Sequence, residues 1–518
     1  MTKSPTLLKD ALFSFIAGAV LGSLLAAFSP PPFWQGFFGG FVLSTLAFFA
    51  LIRTWRWSGS EKMLGIIMLT AFVLRIGLGA LFLNILPSAG YADSAVQKAG
   101  YVYSDAYERD QAAIQLVQSG QSVFTPFLNQ LKSDQYGGLL TISALMYLIF
   151  SPDTARPLLI TLLGGFTMTI GLAFFWAALK QRFSSRFALI ASWVLALYPE
   201  GVLLGASQMR EPFLMGLGCI AFWSALQWKE QKLKAFLTFA ASLVGMVLFS
   251  PPAGMVIGGT CLALVLLEFT IETETIVNRW TGIEVLTLLG FAAFISGWMW
   301  LQPTLYYEVY SAKMASGMLQ YLFDLIPATL TVPFVTVYGL LQPVLPAAIV
   351  EPSIPFWTIL GIIRAGGWYF MLPFLLYSLF ALWKSAKQQN GWILVLVGVV
   401  FFAWTVVSSA RAAGDQWDNP RYRAILLPFM AMVFTWVWLR VRQTHSSWFW
   451  RWVAVVAVLT IGFTNWYFSR TWGVGIYMSF FTLVADVAVI STLILLGGAI
   501  WDCTKKRKGR LQKDLPHG

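Results

Sequence analysis

Long apolar segments alternate with short polar ones along almost the whole chain. Most of the apolar segments have roughly the 17–25 residues that an α-helix needs to cross about 30 Å of hydrocarbon. We therefore predict an all-α, polytopic integral membrane protein with about 14 transmembrane helices. The predicted spans are 11–28, 34–52, 63–86, 156–179, 187–205, 211–228, 235–250, 254–270, 282–301, 362–383, 391–410, 424–441, 452–468 and 477–500.

Two further apolar pieces do not fit a simple crossing. Residues 137–151 are about 15 residues long and stop at Pro152, which favours an interfacial or re-entrant helix. Residues 326–350 are interrupted by four prolines. We expect both pieces to lie in the outer leaflet without a net crossing of the membrane.

The distribution of basic residues predicts the orientation. With the N-terminus inside, nearly every basic cluster falls in a cytoplasmic loop or in the basic tail 501–518, and both termini are cytoplasmic. The chain is 58% hydrophobic, with a mean hydropathy of +0.70 and a net charge of +12. Because the basic residues are spread through short loops, they indicate contact with membrane lipids rather than with nucleic acid. The three cysteines show no spacing typical of a disulfide framework or a zinc site.

The first long polar interval, the outer loop 87–155, carries the densest group of charges. From Asp105 to Val117 the apolar positions follow a helical period, with the charges mostly on the opposite side. We expect a short amphipathic helix on the membrane surface, with a carboxylate at its start. Glu108 and Asp110 are expected to be surface charges, and Asp93 and Asp134 to be solvated. The alternative is a solvated connector without a functional role.

The other predicted outer loops also carry charged residues, arginine among them. Arginine on the outer side opposes the usual topology bias, and its planar guanidinium binds phosphate through two hydrogen bonds. A carboxylate-bearing helix and several arginines on one face predict a binding site. These loop residues are Asp153, Arg156, Arg210, Glu211, Glu308, Lys313, Arg411, Asp415, Asp418, Arg421 and Arg423.

Over residues 63–440 the order of these motifs resembles the GT-C glycosyltransferases, in the branch of the protein O-mannosyltransferases and lipid A aminoarabinose transferases. Asp105, Ala113 and Gly120 are similar to that branch's first outer-loop helix, although Ala106 and Arg109 depart from its pattern. An amphipathic segment, 137–151, follows, and then an arginine that opens the next span, Arg156. Glu211-Pro212 looks like the family's acid–proline pair, with Glu where Asp is common. Residues 419–428 (NPRYRAILLP) are similar to the Arg-Tyr-Arg…Pro entry of a late span.

The resemblance divides the chain into four parts. Residues 1–55 are two additional transmembrane helices, and 56–440 are the catalytic core with its outer loop 87–155. Residues 441–500 are C-terminal transmembrane helices, and 501–518 are the cytoplasmic tail.

The resemblance implies an inverting membrane glycosyltransferase. Such an enzyme moves a sugar from a polyprenyl-phosphate carrier to an acceptor lipid, glycan or protein on the outer face of the cytoplasmic membrane. Asp105 is expected to act as the general base and Glu211 to orient the acceptor. No cofactor is required, but a divalent cation shared by Asp105 and Glu211 stays open. The predicted donor-phosphate ligands are Arg156, Arg421, Arg423, Lys313 and Arg210, and the predicted acceptor or sugar contacts are Tyr306, Tyr307 and Tyr422.

Each of these roles has a structural alternative. Arg156 is equally well explained as a headgroup anchor, Glu211 as a charge that complements a helix dipole, and Arg421 and Arg423 as interface arginines. Arg75 lies in the middle of a span and needs a polar partner, for which Glu268, Glu284 and Asp486 are candidates. A transporter or flippase for lipid-linked glycans, or a polysaccharide polymerase or ligase, are the rival functions.

Overall fold

The structure is a computed structural model that describes residues 4–128, 134–272, 324–412 and 415–513, with isolated helical residues between 284 and 302. Long apolar runs form nearly all of it, and it is 83% helical. The helices of the first half are α1 (Ser4–Ala27), α2 (Phe33–Trp57), α3 (Lys62–Ala89), α4 (Ala95–Lys98), α5 (Ser104–Gln118), α6 (Thr125–Leu128), α7 (Gly138–Phe150), α8 (Pro157–Arg182), α9 (Ser185–Leu197), α10 (Pro199–Gly205), α11 (Glu211–Leu226), α12 (Lys232–Phe249) and α13 (Pro251–Glu272).

The described helices of the second half follow the same pattern of apolar runs closed by polar turns. These helices are α14 (Ala328–Leu341), α15 (Leu345–Val350), α16 (Pro355–Ala381), α17 (Gly391–Ala412), α18 (Asp418–Ala424), α19 (Leu427–Thr444), α20 (Ser447–Thr471) and α21 (Phe480–Lys513). A 3₁₀ turn, Leu382–Lys387, directly follows α16.

Among the described residues, ten helices are long and apolar enough to cross a membrane, or up to twelve if each of two bent helix pairs is one span. The prediction of an all-α polytopic membrane protein is confirmed. The predicted span 211–228 corresponds to α11, which has only 16 residues. The predicted span 282–301 lies largely outside the described residues.

The two apolar pieces that we expected not to cross are short helices. Helix α7 has 13 residues, or about 20 Å at about 1.5 Å per residue, which is less than the hydrocarbon thickness. Residues 326–350 form α14 and the six-residue α15, separated at Gln342 and Pro343. The run is divided at Pro343, whereas Pro333 lies inside α14 without ending it.

Helices α8 and α11 pack closely at the centre of the bundle. A Cβ atom on Gly171 of α8 would lie 2.4 Å from the carbonyl oxygen of Gly216 on α11. One on Gly216 would lie 2.3 Å from the carbonyl oxygen of Thr167. Small residues let helix backbones approach each other where lipid supplies no hydrophobic drive between them. The fully buried Trp176, Phe175 and Phe222 fill the space around this contact.

Two spans of the bundle are broken. Helices α9 and α10 meet at 53° across Tyr198, and α18 and α19 meet at 75° across Ile425 and Leu426. A helix end inside a membrane protein exposes carbonyl groups that need donors. At the first break the donor is Arg75, whose guanidinium lies 3.1 Å from the carbonyl oxygen of Ala196 and 3.4 Å from that of Leu195. The expectation of an acidic partner for Arg75 is thus wrong, because Arg75 donates its hydrogen bonds to backbone carbonyl groups at the helix end.

Candidate active site

Arg421 is the centre of a cluster of charged side chains. Its Nε lies 2.7 Å from Glu211 Oε1, and its Nη1 lies 2.8 Å from Asp105 Oδ2 and 3.0 Å from Asp418 Oδ1. The guanidinium can make several such contacts because it presents five donors in a fixed plane. The structure therefore brings together three predicted site residues that lie far apart in the sequence: Asp105, Glu211 and Arg421.

Each carboxylate of the cluster stands in the first turn of a helix. Asp105 is the second residue of α5, Glu211 opens α11, and Asp418 opens α18. The N-terminus of a helix carries partial positive charge, which stabilises a carboxylate placed there. In each case the acidic residue follows a short polar turn and lies at the first or second position of its helix, so the local sequence places these groups at helix starts.

The three carboxylates differ in exposure. The side chain of Glu211 is fully buried, whereas those of Asp105 and Asp418 are 52% and 42% exposed. Glu211 Oε2 is buried and has no hydrogen-bond partner within the described residues. Glu211 is thus an inner anchor for Arg421, whereas Asp105 and Asp418 are carboxylates that a substrate can reach, Asp105 being the more exposed.

Arg421 also controls the protonation of Asp105. Burial, the largest single effect, raises the pKa of Asp105, but the charge and hydrogen bond of Arg421 together with the charges of Arg109 and Arg210 outweigh it. The net pKa lies below the ordinary carboxyl value. Asp105 is therefore ionised at neutral pH and able to accept a proton.

A shallow cleft next to the cluster has a cavity volume of about 20 Å³. Its lining includes two arginines from different parts of the chain. Arg411 lies near the end of α17, and Arg210 lies just before α11. The guanidinium of Arg210 is 3.8 Å from Glu211 Oε1 and lies 5.1 Å from the centre of the Tyr136 ring. Tyr422, Trp404 and Pro252 add apolar and aromatic walls. Two cations beside aromatic surfaces suit a phosphate attached to a sugar or a lipid.

Sequence reasoning missed a second, fully buried ion pair beside the cluster. Arg364 of α16 donates to both carboxylate oxygens of Glu200 on α10, at 2.7 and 3.0 Å. Its guanidinium also lies 4.2 Å from the centre of the Trp417 ring and 3.2 Å from the carbonyl oxygen of Gln416. The pair thus fixes the residues just before α18, the helix that carries Arg421. Both members lie within apolar spans, so only their charge inside such a run signals them.

The inner side of α5 is more polar than the pattern predicts. Asp110 is buried and accepts hydrogen bonds from the hydroxyls of Tyr101 and Tyr147. Burial raises the pKa of Asp110 to about 6 despite these hydrogen bonds and the charge of Arg109. The expectation that Asp110 is a surface charge is wrong, because two tyrosines supply the donors that water would otherwise provide. Arg109 is also buried and donates to the carbonyl oxygen of Gln208 at 2.5 Å.

Asp134 likewise differs from the prediction of a solvated residue. Its side chain is buried and accepts hydrogen bonds from the backbone N–H groups of Tyr136, at 3.2 Å, and Leu140, at 2.9 Å. Asp134 therefore fixes the start of α7 beside the site.

Arg156 lies elsewhere and does not join the cluster. It is fully buried and donates to the carbonyl oxygens of Pro30, at 2.5 Å, and Pro32, at 2.9 Å, and to Ser151 Oγ, at 2.9 Å. The prediction that Arg156 binds the donor phosphate is corrected, since its guanidinium ties the turn between α1 and α2 to the bundle. It is not a headgroup anchor either, because it does not reach the surface.

Arg423 points away from the cluster as well. It donates to the carbonyl oxygen of Gln342 and stacks 3.5 Å from the centre of the Trp368 ring, inside the bundle. This position corrects the prediction of a phosphate contact and also the alternative of an interface arginine. Tyr422 lines the cleft, and its contact with the acceptor or sugar stays a prediction. The predicted residues Tyr306, Tyr307 and Lys313 lie outside the described residues.

The carboxylates Asp105 and Glu211 are connected by Arg421 rather than facing each other. Within the part of the chain that the structure describes, no group of three or more His, Cys, Asp or Glu side chains is arranged to hold a metal ion. The Arg421 guanidinium thus lies between Asp105 and Glu211, the two carboxylates that we expected to share a divalent cation if one is bound.

The fold and this cluster define the class of protein: an all-α, multi-pass membrane protein. No family model matches the chain, and no curated protein or solved structure is significantly similar to it. The resemblance to the GT-C glycosyltransferases therefore depends on the quoted residues alone.

Proposed function

We propose that the protein is an inverting glycosyltransferase that takes a sugar from a polyprenyl-phosphate carrier and transfers it to an acceptor on the outer face of the cytoplasmic membrane. One observation carries the proposal: Asp105, a half-exposed carboxylate, is fixed by Arg421 to the buried Glu211 beside a cleft that contains Arg210 and Arg411. A reachable base next to cations is the arrangement that transfer from a lipid phosphate needs.

In the proposed reaction the acceptor hydroxyl attacks the anomeric carbon from the side opposite the phosphate. Its proton passes to Asp105 as the new glycosidic bond forms. The bond between the anomeric carbon and the phosphate oxygen breaks, and the polyprenyl phosphate leaves with the bonding electron pair. Arg210 and Arg411 stabilise the negative charge that grows on the phosphate, so no general acid is needed. Opposite-side attack inverts the anomeric configuration.

Arg421 has a positioning role in this scheme. It keeps Asp105 ionised and oriented, while the carboxylate of Glu211 balances the positive charge of Arg421. The aromatic wall of Tyr422 and Trp404 gives the sugar or the first isoprene unit a surface to lie against.

Mass spectrometry of the lipids of a deletion strain tests the proposal. We expect a polyprenyl-phosphate sugar to accumulate in the deletion strain and an acceptor to lose its sugar. The wild-type gene and a Glu108→Gln variant, which changes an exposed charge on the same helix, should restore both. Asp105→Asn should restore neither, although the protein is made and inserted. Full restoration by Asp105→Asn would refute the assigned base.

A transporter or flippase for a lipid-linked glycan is a second candidate, favoured by the two broken spans. Discontinuous helices with charged residues at their ends form the substrate sites of many transporters. Asp418 of the cluster stands at the start of the half-helix α18, and Glu200 of the neighbouring ion pair stands at the start of α10. Purified protein separates the two candidates, because a glycosyltransferase releases free polyprenyl phosphate and a flippase leaves the lipid-linked sugar intact.

A further inference from the structure

A second cleft lies at the ends of α9 and α19 that are remote from the broken-span partners α10 and α18. Arg440 is about 20 Å further along α19 than Leu427, where that helix leaves the broken span, at about 1.5 Å per residue. Likewise Ser184 precedes α9, whereas Glu200 follows it on α10. This cleft is therefore separated from Asp105 and Arg421 by most of the bundle.

The cleft has a cavity volume of about 160 Å³. A cavity of about this size takes one small group, such as a lipid phosphate, rather than a whole lipid. One side of the cleft is apolar and the other is polar. Its walls include Phe183, Phe187, Gln388, Trp436, Arg440 and Gln443.

Arg440 is the cation of this cleft. Its guanidinium lies 5.2 Å from the centre of the Trp436 ring, and no carboxylate contacts it within the described residues. Its Nε is buried and has no hydrogen-bond partner in the same part of the chain. A guanidinium without an acidic partner beside an aromatic ring is well placed for an anion that approaches from the cleft.

The amides of the cleft supply further donors. The Trp436 indole N–H donates to Gln388 Oε1 at 3.3 Å, which leaves the NH₂ group of Gln388 to donate elsewhere. Gln443 stands about one turn beyond Arg440 on the same helix. One cation and two amides can together satisfy several oxygens of a single phosphate.

The apolar side indicates that the anion belongs to a lipid. The Phe183 and Phe187 rings stack with centres 4.6 Å apart, and Leu394 and Leu439 continue this side. Arg182, Arg186, Lys384 and Lys387 stand at the same end of the bundle, where the topology bias predicts the cytoplasmic leaflet. Basic pockets between transmembrane helices on that side are suited to anionic lipid headgroups.

We propose that the cleft around Arg440 and Gln388 is a binding site for the phosphate of an anionic phospholipid of the inner leaflet. The phosphate contacts the Arg440 guanidinium and the Gln388 amide, and the first carbons of the acyl chains lie against Phe183 and Phe187. The site is separate from the proposed active site and does not depend on glycosyl transfer.

Native mass spectrometry of the purified full-length protein in detergent tests this proposal. The protein is titrated separately with phosphatidylglycerol, with phosphatidylcholine and with inorganic phosphate. We expect phosphatidylglycerol to bind at least about tenfold more tightly than phosphatidylcholine and inorganic phosphate not to bind at comparable concentrations. Arg440→Gln should weaken phosphatidylglycerol binding about tenfold, and Gln388→Leu should weaken it by a smaller factor.

Arg442→Gln is the matched control. Arg442 lies on the same helix end, is exposed and stacks 4.7 Å from the centre of the Trp438 ring, but it does not line the cleft. Its substitution removes the same charge and should leave the affinity unchanged. Equal affinities for Arg440→Gln and wild type, or equal losses for Arg440→Gln and Arg442→Gln, would overturn the proposal. Arg440-dependent binding of inorganic phosphate alone would overturn the assignment to a lipid.

Discussion

Removing Arg421 should reveal how unequally its carboxylate partners depend on it. The Arg421→Gln substitution leaves Glu211 buried without a full cation, since Arg210 stays 3.8 Å away. Breaking a buried ion pair by removing one partner costs about 3–5 kcal/mol. Asp105 and Asp418 are about half exposed, so water compensates them, and each adds at most about 1 kcal/mol. We therefore expect Arg421→Gln to lower the free energy of unfolding by about 3–5 kcal/mol.

Double variants separate the two partners. When Glu211→Gln is added to Arg421→Gln, the uncompensated buried charge disappears, and we expect a recovery of about 2–3 kcal/mol. When Asp105→Asn is added instead, the recovery should stay below about 1 kcal/mol, because this carboxylate is already hydrated. The difference follows only from the burial of the two side chains, 0% exposed for Glu211 and 52% for Asp105.

The free energies are measured by unfolding the purified protein with a denaturing detergent in mixed micelles, followed by circular dichroism. Glu108→Gln, which removes an exposed carboxylate from the same helix as Asp105, is the control and should change stability by less than about 0.5 kcal/mol. A coupling energy between Arg421 and Asp105 that equals or exceeds the one between Arg421 and Glu211 would refute the assignment of Glu211 as the inner anchor.

Three further predictions concern the surroundings of the site. The pKa of Asp110 is raised to about 6, so its stabilising effect is complete below the unfolded pKa near 4 and is lost as pH rises through 6. Relative to Asp110→Asn, wild type should lose about 3 kcal/mol between pH 3 and 7 in the same unfolding assay, and parallel pH profiles would contradict this. Arg156→Gln should loosen the α1–α2 turn, which would be seen as faster limited proteolysis there, and should leave the KM for the donor unchanged. A raised KM with normal proteolysis would support the phosphate-binding role of Arg156 instead. Gly171→Ala should destabilise the protein by about 1–3 kcal/mol, because the added Cβ meets the backbone of α11. The control Gly366→Ala, with nothing within 4 Å of the added Cβ, should stabilise the protein by up to about 1 kcal/mol. Equal effects of the two variants would mean that the close helix contact is not required.

The sequence predicts the membrane spans well because burial in lipid requires long, uniformly apolar segments. Broken spans are harder to predict. Residues 187–205 look like one span, and only the structure places the 53° bend at Tyr198 and Pro199. The bend depends on Arg75, a residue of another helix that satisfies the carbonyl groups released there.

The cluster itself is predictable in part. Asp105 lies in a predicted loop, and Glu211 and Arg421 lie at the ends of apolar segments, so counting the predicted crossings assigns all three to one side of the membrane. Glu200 and Arg364 escape this reasoning because they lie within spans, where each reads as an isolated polar residue. Arg156 shows the opposite error. A sequence cannot distinguish an arginine that meets a ligand from one whose donors are taken by backbone carbonyl groups such as those of Pro30 and Pro32.

The most direct test of the account is the release of free polyprenyl phosphate by purified protein. The substrate is the polyprenyl-phosphate sugar fraction of a deletion strain, supplied in mixed micelles with an acceptor extract, and the product is measured by mass spectrometry. We predict release by wild type and by Glu108→Gln, and at least about a hundredfold slower release by Asp105→Asn, the loss expected for an essential general base. Release by Asp105→Asn at the wild-type rate, or no release by any form of the protein, would contradict the account.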